Sequence, residues 1–274
     1  MVLVGDSGEE LQELVGTLDE ICRRSKLRVN GKKSKVMRMG KRGHKSLDIK
    51  IEGGTLEEVE VYRYLGVDLT ADGTMEKEVE HRITEARKAM GALKRVWGGR
   101  KISMQAKVGM TESIVDSTLL YGSEVWTLGQ VAWKKMEALE MDSLRSVCRL
   151  RRIDKVPNRE ILERCKKEVR VGEKMNRALL RWYGHVERME ENRMTKKVYE
   201  AKVEGKRERG RPRRRWRECV QERVESKGLS MREAGELARD RGGWRRWYRG
   251  GKKEAQGGGV GENEKCMVKE EKGE

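Results

Sequence analysis

The sequence predicts an α+β chain: one helix on about three or four short strands over residues 1–73, then a mainly α-helical region to residue 249. Two patterns carry this. Between Val36 and Leu69, short runs alternate apolar with polar residues, the period-2 signature of strands. After the Asp72-Gly73 turn the apolar spacing changes to steps of three and four and stays so, as helices require. Composition limits the core: 40% of the 274 residues are charged and 36% hydrophobic, against roughly 25% and 45–50% in an ordinary globular domain. A single deeply buried core is therefore not expected.

Each element has its own signal. Met1 to Gly5 is a short apolar run of strand type with no turn or cap before it. Ser7-Gly8-Glu9-Glu10 has capping-box form, and Leu11, Leu14, Val15, Leu18, Ile21 and Cys22 follow at helical spacing. Val36, Met37 and Met39 mark one strand, and Leu47, Ile49 and Ile51 a second. Val59, Val61, Leu65, Val67 and Leu69 hold one face of a third. Beyond Gly73, Val79, Ile83, Ala86, Met90, Leu93 and Trp97 form a helical stripe. A second helix is expected from Ser103 to about Tyr121, where Tyr121-Gly122-Ser123 breaks it. A third is expected from about Gln130 to Leu150, with Met136, Leu139, Leu144 and Val147 inward. Pro157 marks the next boundary. Two amphipathic helices follow, one with Ile161, Leu162, Cys165 and Val169, the other with Met175, Leu179, Trp182, Val186 and Met189. Trp216, Cys219, Val220 and Val224, a second capping box Ser230-x-x-Glu233, and Trp244 with Trp247 close the ordered part. From Gly250 the chain is Gly, Lys and Glu without apolar period and reads as a disordered tail.

Charge narrows the function classes. The formal net charge is +17, beyond the roughly 2–8 charges that suffice for solubility. That surplus favours a polyanionic partner, RNA or DNA, over a merely solvated surface. Five scattered cysteines without a C-x-x-C pair support neither a disulfide framework nor a zinc finger. Three distant histidines suggest no metal site. No apolar run approaches the roughly 18–20 residues of a membrane span, and Met1–Gly5 lacks the basic region of a signal peptide. The expected setting is nuclear or cytoplasmic, with no membrane and no obvious protein partner.

Several segments, in this order, resemble the end of a non-LTR (LINE-type) retrotransposon reverse transcriptase. They are Val2-Leu3-Val4-Gly5, the first helix, Leu27-Arg28-Val29-Asn30-x-x-Lys33-Ser34-Lys35-Val36-Met37 and Tyr64-Leu65-Gly66-Val67. Tyr121-Gly122-Ser123-Glu124-Val125-Trp126 resembles the thumb segment of that family. Arg181-Trp182-Tyr183-Gly184-His185-Val186 and Gly210-Arg211-Pro212-Arg213-Arg214-Arg215-Trp216 are similar to its C-terminal region, with Tyr183 where Phe is expected. The resemblance covers roughly residues 1–249. It implies a partial palm with a primer-grip hairpin over 1–73, thumb-like helices over 74–153, a basic helical region over 154–249, and a tail over 250–274. It assigns Asn30, Lys33 and Lys35 to a palm motif and Tyr64, Leu65 and Gly66 to the primer grip. In the family the apolar strand follows a Tyr/Phe-Ala-Asp-Asp motif that holds catalytic Mg²⁺. Met1 stands where the residue after that pair would fall, and no Asp-Asp pair occurs in this sequence. Two-metal phosphoryl transfer needs clustered carboxylates. The expectation is a truncated, catalytically inactive fragment with no cofactor and no catalytic residues of its own. Asp6 reads as an N-terminal helix charge, and Lys33 as a surface lysine.

The strongest remaining feature is basic. Arg193 to Arg217 holds twelve basic residues against three acidic, a density suited to phosphate neutralisation. Within it, Arg207, Arg209, Arg211, Arg213, Arg214, Arg215 and Arg217 are the expected nucleic-acid contacts. Arg209-Gly210-Arg211-Pro212 also resembles an AT-hook, which would place arginines in a narrow A·T minor groove. Proline at a first helical position is the competing role for Pro212. Trp182 and Trp216 sit on apolar stripes and read as core, while Trp244 and Trp247, among arginines, suit either a core or a base-stacking platform. His185 reads as structural. A non-functional remnant is the remaining alternative.

Overall fold

Ser7 caps the first helix as its sequence predicts, its hydroxyl accepting the Glu10 N–H at 3.2 Å. Helix α1 then runs Gly8–Arg24 in the computed structural model, which describes residues 1–40, 47–51, 54–201 and 214–250. The Glu10 carboxylate reaches back to the Asp6 N–H at 2.6 Å. Gln12 exchanges two hydrogen bonds with the Lys50 backbone, at 3.0 and 2.7 Å, and so pins α1 to the strands. The core beneath α1 is small: Val15, Val36, Ile49, Ile51 and Leu56. Part of the apolar stripe therefore stays uncovered, and Ile21 is exposed.

Six strands of two to four residues form three separate two-stranded ladders among the described residues. Strand β1 (Lys35–Val36) runs parallel to β4 (Glu57–Glu58), and β2 (Lys50–Ile51) pairs antiparallel with β3 (Gly54–Thr55). The third expected strand is a hairpin instead, β5 (Val61–Tyr64) with β6 (Val67–Thr70). It turns at Leu65 and Gly66, whose φ values of 49° and 82° are both left-handed. A two-residue turn of that kind matches the strand twist, and the apolar face formed by Val59, Val61, Leu65, Val67 and Leu69, which runs straight across the turn, conceals it. Met1–Gly5 joins no ladder among the described residues, and Val2 and Val4 are exposed.

From residue 76 onwards the described chain is helical, as predicted. Helix α2 (Glu76–Gly98) buries Val79, Ile83, Ala86, Leu93 and Trp97. Lys107 donates to the Trp97 carbonyl at 2.7 Å, and Arg149 donates to Gly98 O. Both cations sit at the negative end of the helix. Helix α3 (Met104–Met110), capped by Ser103, continues through a π-helical turn (Thr111–Asp116) into α4 (Ser117–Leu119). Gly122, at φ 73°, ends the run before a 3-10 turn (Ser123–Val125). Helix α5 (Gln130–Val147) turns Met136, Leu139, Leu144 and Val147 inward, and α6 (Asn158–Cys165) starts after Pro157. These helices and the first turns of α7 (Val171–Glu187) enclose a central core. Buried Glu140 joins α5 to α7, accepting the Val171 N–H at 2.8 Å and pairing with Arg170.

The second half of α7 belongs to another core. Leu179, Leu180 and Tyr183 pack with α9 (Trp216–Glu225), α10 (Met231–Arg239) and α11 (Arg241–Tyr248), while α8 (Met194–Glu200) lends Tyr199. Ser230 and Glu233 make the expected capping box of α10. Trp244 and Trp247 are core residues, stacked at 4.8 Å with Trp244 against Tyr183 at 5.5 Å. Tyr183 takes the inward position of its stripe, and Trp182 is only half-buried. Trp216 packs at the edge of this core. Helix α9 begins at Trp216. Pro212 lies outside the described residues, as does the expected tail from residue 251 on. No helix among the described residues is long and apolar enough to cross a membrane.

Candidate nucleic-acid interface

The hairpin turn is held from below by helix α2 and by the Tyr121 turn that follows α4. The Gly66 carbonyl accepts from Arg82, the Leu65 carbonyl accepts from the Tyr121 hydroxyl at 2.8 Å, and the Asp68 N–H donates to Glu78 at 2.7 Å. Glu78 and Arg82 are themselves joined on α2, Nε to Oε1 at 2.5 Å, with the Glu78 side chain fully buried. The Arg82 guanidinium lies over the Tyr121 ring, 4.6 Å from its centroid. Gly66 is required here by its left-handed φ of 82°; the Tyr121 ring lies within ordinary contact distance of it. Gly122 next door brings the break close to Val67. The Tyr64-Leu65-Gly66 and Tyr121-Gly122-Ser123 segments, 56 residues apart, therefore meet.

What the clamp leaves uncovered is the tip. Leu65 is 73% exposed and Tyr62 is exposed beside it, while Tyr64 is half-buried. Across the ladder Arg63 and Asp68 face each other in a two-pronged pair, at 2.7 and 3.0 Å. The Arg63 hydrogen bond holds the Asp68 carboxyl below its ordinary range against the opposing effect of burial.

Of the three residues that the resemblance assigns to a palm motif, Asn30 builds a turn, its side chain accepting the Lys33 N–H at 3.1 Å. Lys33 itself is exposed. Lys35 bonds Glu57 across the β1–β4 ladder. These three do structural or surface work and do not converge on the hairpin tip.

Four of the expected basic contacts, Arg207, Arg209, Arg211 and Arg213, lie outside the described residues, and so does the AT-hook-like segment. The other three are described. Arg214 binds the Leu128 carbonyl at 3.1 Å and pairs with Glu222. Arg217 lies over the Tyr199 ring at 5.4 Å. Arg215 is exposed at the start of α9. Trp216 Nε1 donates to the Glu124 carbonyl at 2.8 Å, so the end of the basic segment is moored to the Tyr121–Trp126 region. His185 is exposed with its ring 5.3 Å from Trp182.

Sequence reasoning missed Glu78 and Arg82. Their signal was present: an acid and a base four apart, each one residue before a stripe position, Val79 and Ile83. Among the described residues no group of three or more His, Cys, Asp or Glu is placed to hold a metal ion. Asp6 is exposed and its N–H caps onto Glu10. No family model, curated protein or solved structure matches the chain.

Proposed function

We propose that this chain corresponds to the end of the palm, the thumb and the basic C-terminal region of a LINE-type reverse transcriptase, and that it holds RNA or DNA without polymerising it. The docking of the Tyr64-Leu65-Gly66 turn on Tyr121 carries this reading. A hairpin that grips a primer has to be fixed relative to the thumb, because a contact displaced by an ångström loses its purpose. Here three backbone groups of the turn region are fixed by side chains, buried Glu78 and Arg82 on α2 and the exposed Tyr121, and the tip is left free. The net charge of +17 and the basic run ending at Arg217 supply sequence-independent attraction for phosphates.

The test is a salt titration of binding to an RNA hairpin, an A·T duplex and a G·C duplex. The variant replaces Arg209, Arg211, Arg213 and Arg215 by Gln and leaves Arg214 in place. Binding to all three ligands is expected, with the salt slope on duplex DNA falling by up to about 0.9 for each lost phosphate contact. Preference for the A·T duplex alone would favour the minor-groove reading. Undetectable binding at about 0.15 M salt, or binding unchanged in the variant, sinks the proposal. Primer extension with Mg²⁺ is expected to give no product.

A further inference from the structure

Helix α11 sorts its tryptophans from its arginines. It buries Trp244, Trp247 and Tyr248 and turns Arg245 and Arg246 to the outside, with Arg241 exposed at its start and Arg249 just past its end. No acidic residue lies within the helix. Arg181 of α7 is exposed as well. It stands four residues from Arg177, which donates to the Arg249 carbonyl at 3.3 Å, and three from Gly184, which packs under Trp244. That spacing sets it beside the face of α7 that meets α11.

None of Arg181, Arg241, Arg245, Arg246 and Arg249 has a carboxylate within ion-pair distance among the described residues, whereas Arg177 is paired with Glu173 and Arg232 with Glu236. Asp240, the acid next to α11, uses both oxygens in its cap, accepting the Gly242 and Gly243 N–H groups at 2.9 Å. The negative end of a helix favours cations, which suits Arg245 and Arg246. It does not account for Arg241 at the positive end. There its charge adds to burial in holding the Arg188 pKa below its ordinary value. Like charges gathered without acids form a field that an external anion relieves.

Arg241 and Arg249 are about 12 Å apart along the helix, at 1.5 Å per residue. A nucleic-acid duplex presents one phosphate for roughly every 1.7 Å of its axis, so about seven lie along that length. A guanidinium fork matches phosphate oxygens two at a time. The apolar face of α11 is buried, so it offers nothing to insert into a bilayer, and its tryptophans cannot stack on bases. We propose that α11 with Arg181 is a second nucleic-acid face, which grips the phosphate backbone of a duplex without reading or stacking its bases. This rests on the reading that the chain holds RNA or DNA, but shares no residue with the hairpin tip or with the segment from Arg193 to Arg217.

Salt titrations of the full chain with an A·T duplex, a G·C duplex, poly-glutamate and phosphatidylserine vesicles test it. Replacing Arg245, Arg246 and Arg249 by Gln should lower the salt slope on both duplexes alike and weaken binding about fivefold for each lost contact at about 0.15 M salt. The control replaces Arg159, Arg164 and Arg232 by Gln. It removes the same charge from arginines paired within their own helices, and should weaken binding far less. Should the first variant fail to fold, Arg181→Gln with Arg245→Gln decides by the same criterion. Loss in the α11 variant, with none in the variant lacking Arg209, Arg211, Arg213 and Arg215, supports this face and sinks the role of the basic segment. The converse overturns this face alone. A parent that binds no duplex, a loss as large in the control, or tighter binding to poly-glutamate or the vesicles than to duplex also overturns the proposal.

Discussion

Trp244 lies directly against the backbone of α7 because Gly184 has no side chain, and its indole N–H reaches the Leu180 carbonyl at 2.8 Å. A Cβ at residue 184 would collide with the indole Nε1 and Cδ1. Gly184→Ala should therefore lower stability by about 1–3 kcal/mol, the usual effect of overpacking, read as a drop in urea midpoint. A second residue-scale effect depends on pH. The Cys148 and Cys165 sulfurs are 3.4 Å apart, and burial pushes the Cys165 thiol from an ordinary 9.0 up to about 12, with Cys148 adding to the rise. The folded value lies above the unfolded one, so the unfolded chain loses this proton first. The contribution is complete below pH 9 and is lost as pH climbs towards 12. Tm should fall across that window, and Cys165→Ala should flatten part of the fall. A Tm profile with the same slope in both proteins would show the thiol to be irrelevant. Little of this was legible beforehand: the sequence pattern puts Cys165 on an apolar stripe but cannot pair it with Cys148.

Among the elements, the hairpin depends most on groups from elsewhere. Its own cross-strand pair, Arg63 with Asp68, is largely exposed on the Arg63 side and contributes little by itself. Glu78 and Arg82 on α2 hold it, both within the protein. Arg82→Met would leave the Glu78 carboxylate buried without its partner, a loss of about 3–5 kcal/mol for such pairs. Amide exchange of Asp68 and of the residues around the turn should accelerate with it. Unchanged exchange there would mean that Tyr121 alone suffices. The helices were legible because each announces itself locally: Ser7, Ser103 and Ser230 cap three of them, and Val79 to Trp97 repeats without interruption. The turn was not legible in the apolar spacing, which reads Val59 to Leu69 as one strand. A hairpin at Tyr64-Leu65-Gly66 was expected only from the resemblance, and Leu65, at φ 49°, is a residue type that rarely marks such a turn.

On the scale of the molecule, stability is uneven because burial is. The N-terminal core holds five buried apolar side chains, fewer than either helical core, and the ladders above it are two residues long. Regions with so few buried contacts open first. Hydrogen exchange should find α1 and the first ladders opening well below the global unfolding free energy, and limited proteolysis should cut before residue 60 first. Uniform protection along the chain would contradict this. The sequence foreshadowed it in its low apolar content and in the exposed run Met1–Gly5, but not the division of the helices into two cores, since α7 reads as one amphipathic stripe.

That shared helix fixes a phase. Val171 and Met175 face one core and Leu179, Leu180 and Tyr183 the other, on a single rigid axis. One residue inserted between the two groups would rotate everything beyond it by about 100°, at 3.6 residues per turn. Seven would restore the angle but push the far core about 10 Å along the axis. Either way, the contacts that return from beyond it, Arg214 to Leu128 and Trp216 to Glu124, could not close. The residue count of α7 is thus a gauge length for the whole helical region, and only its loops could absorb a change of length.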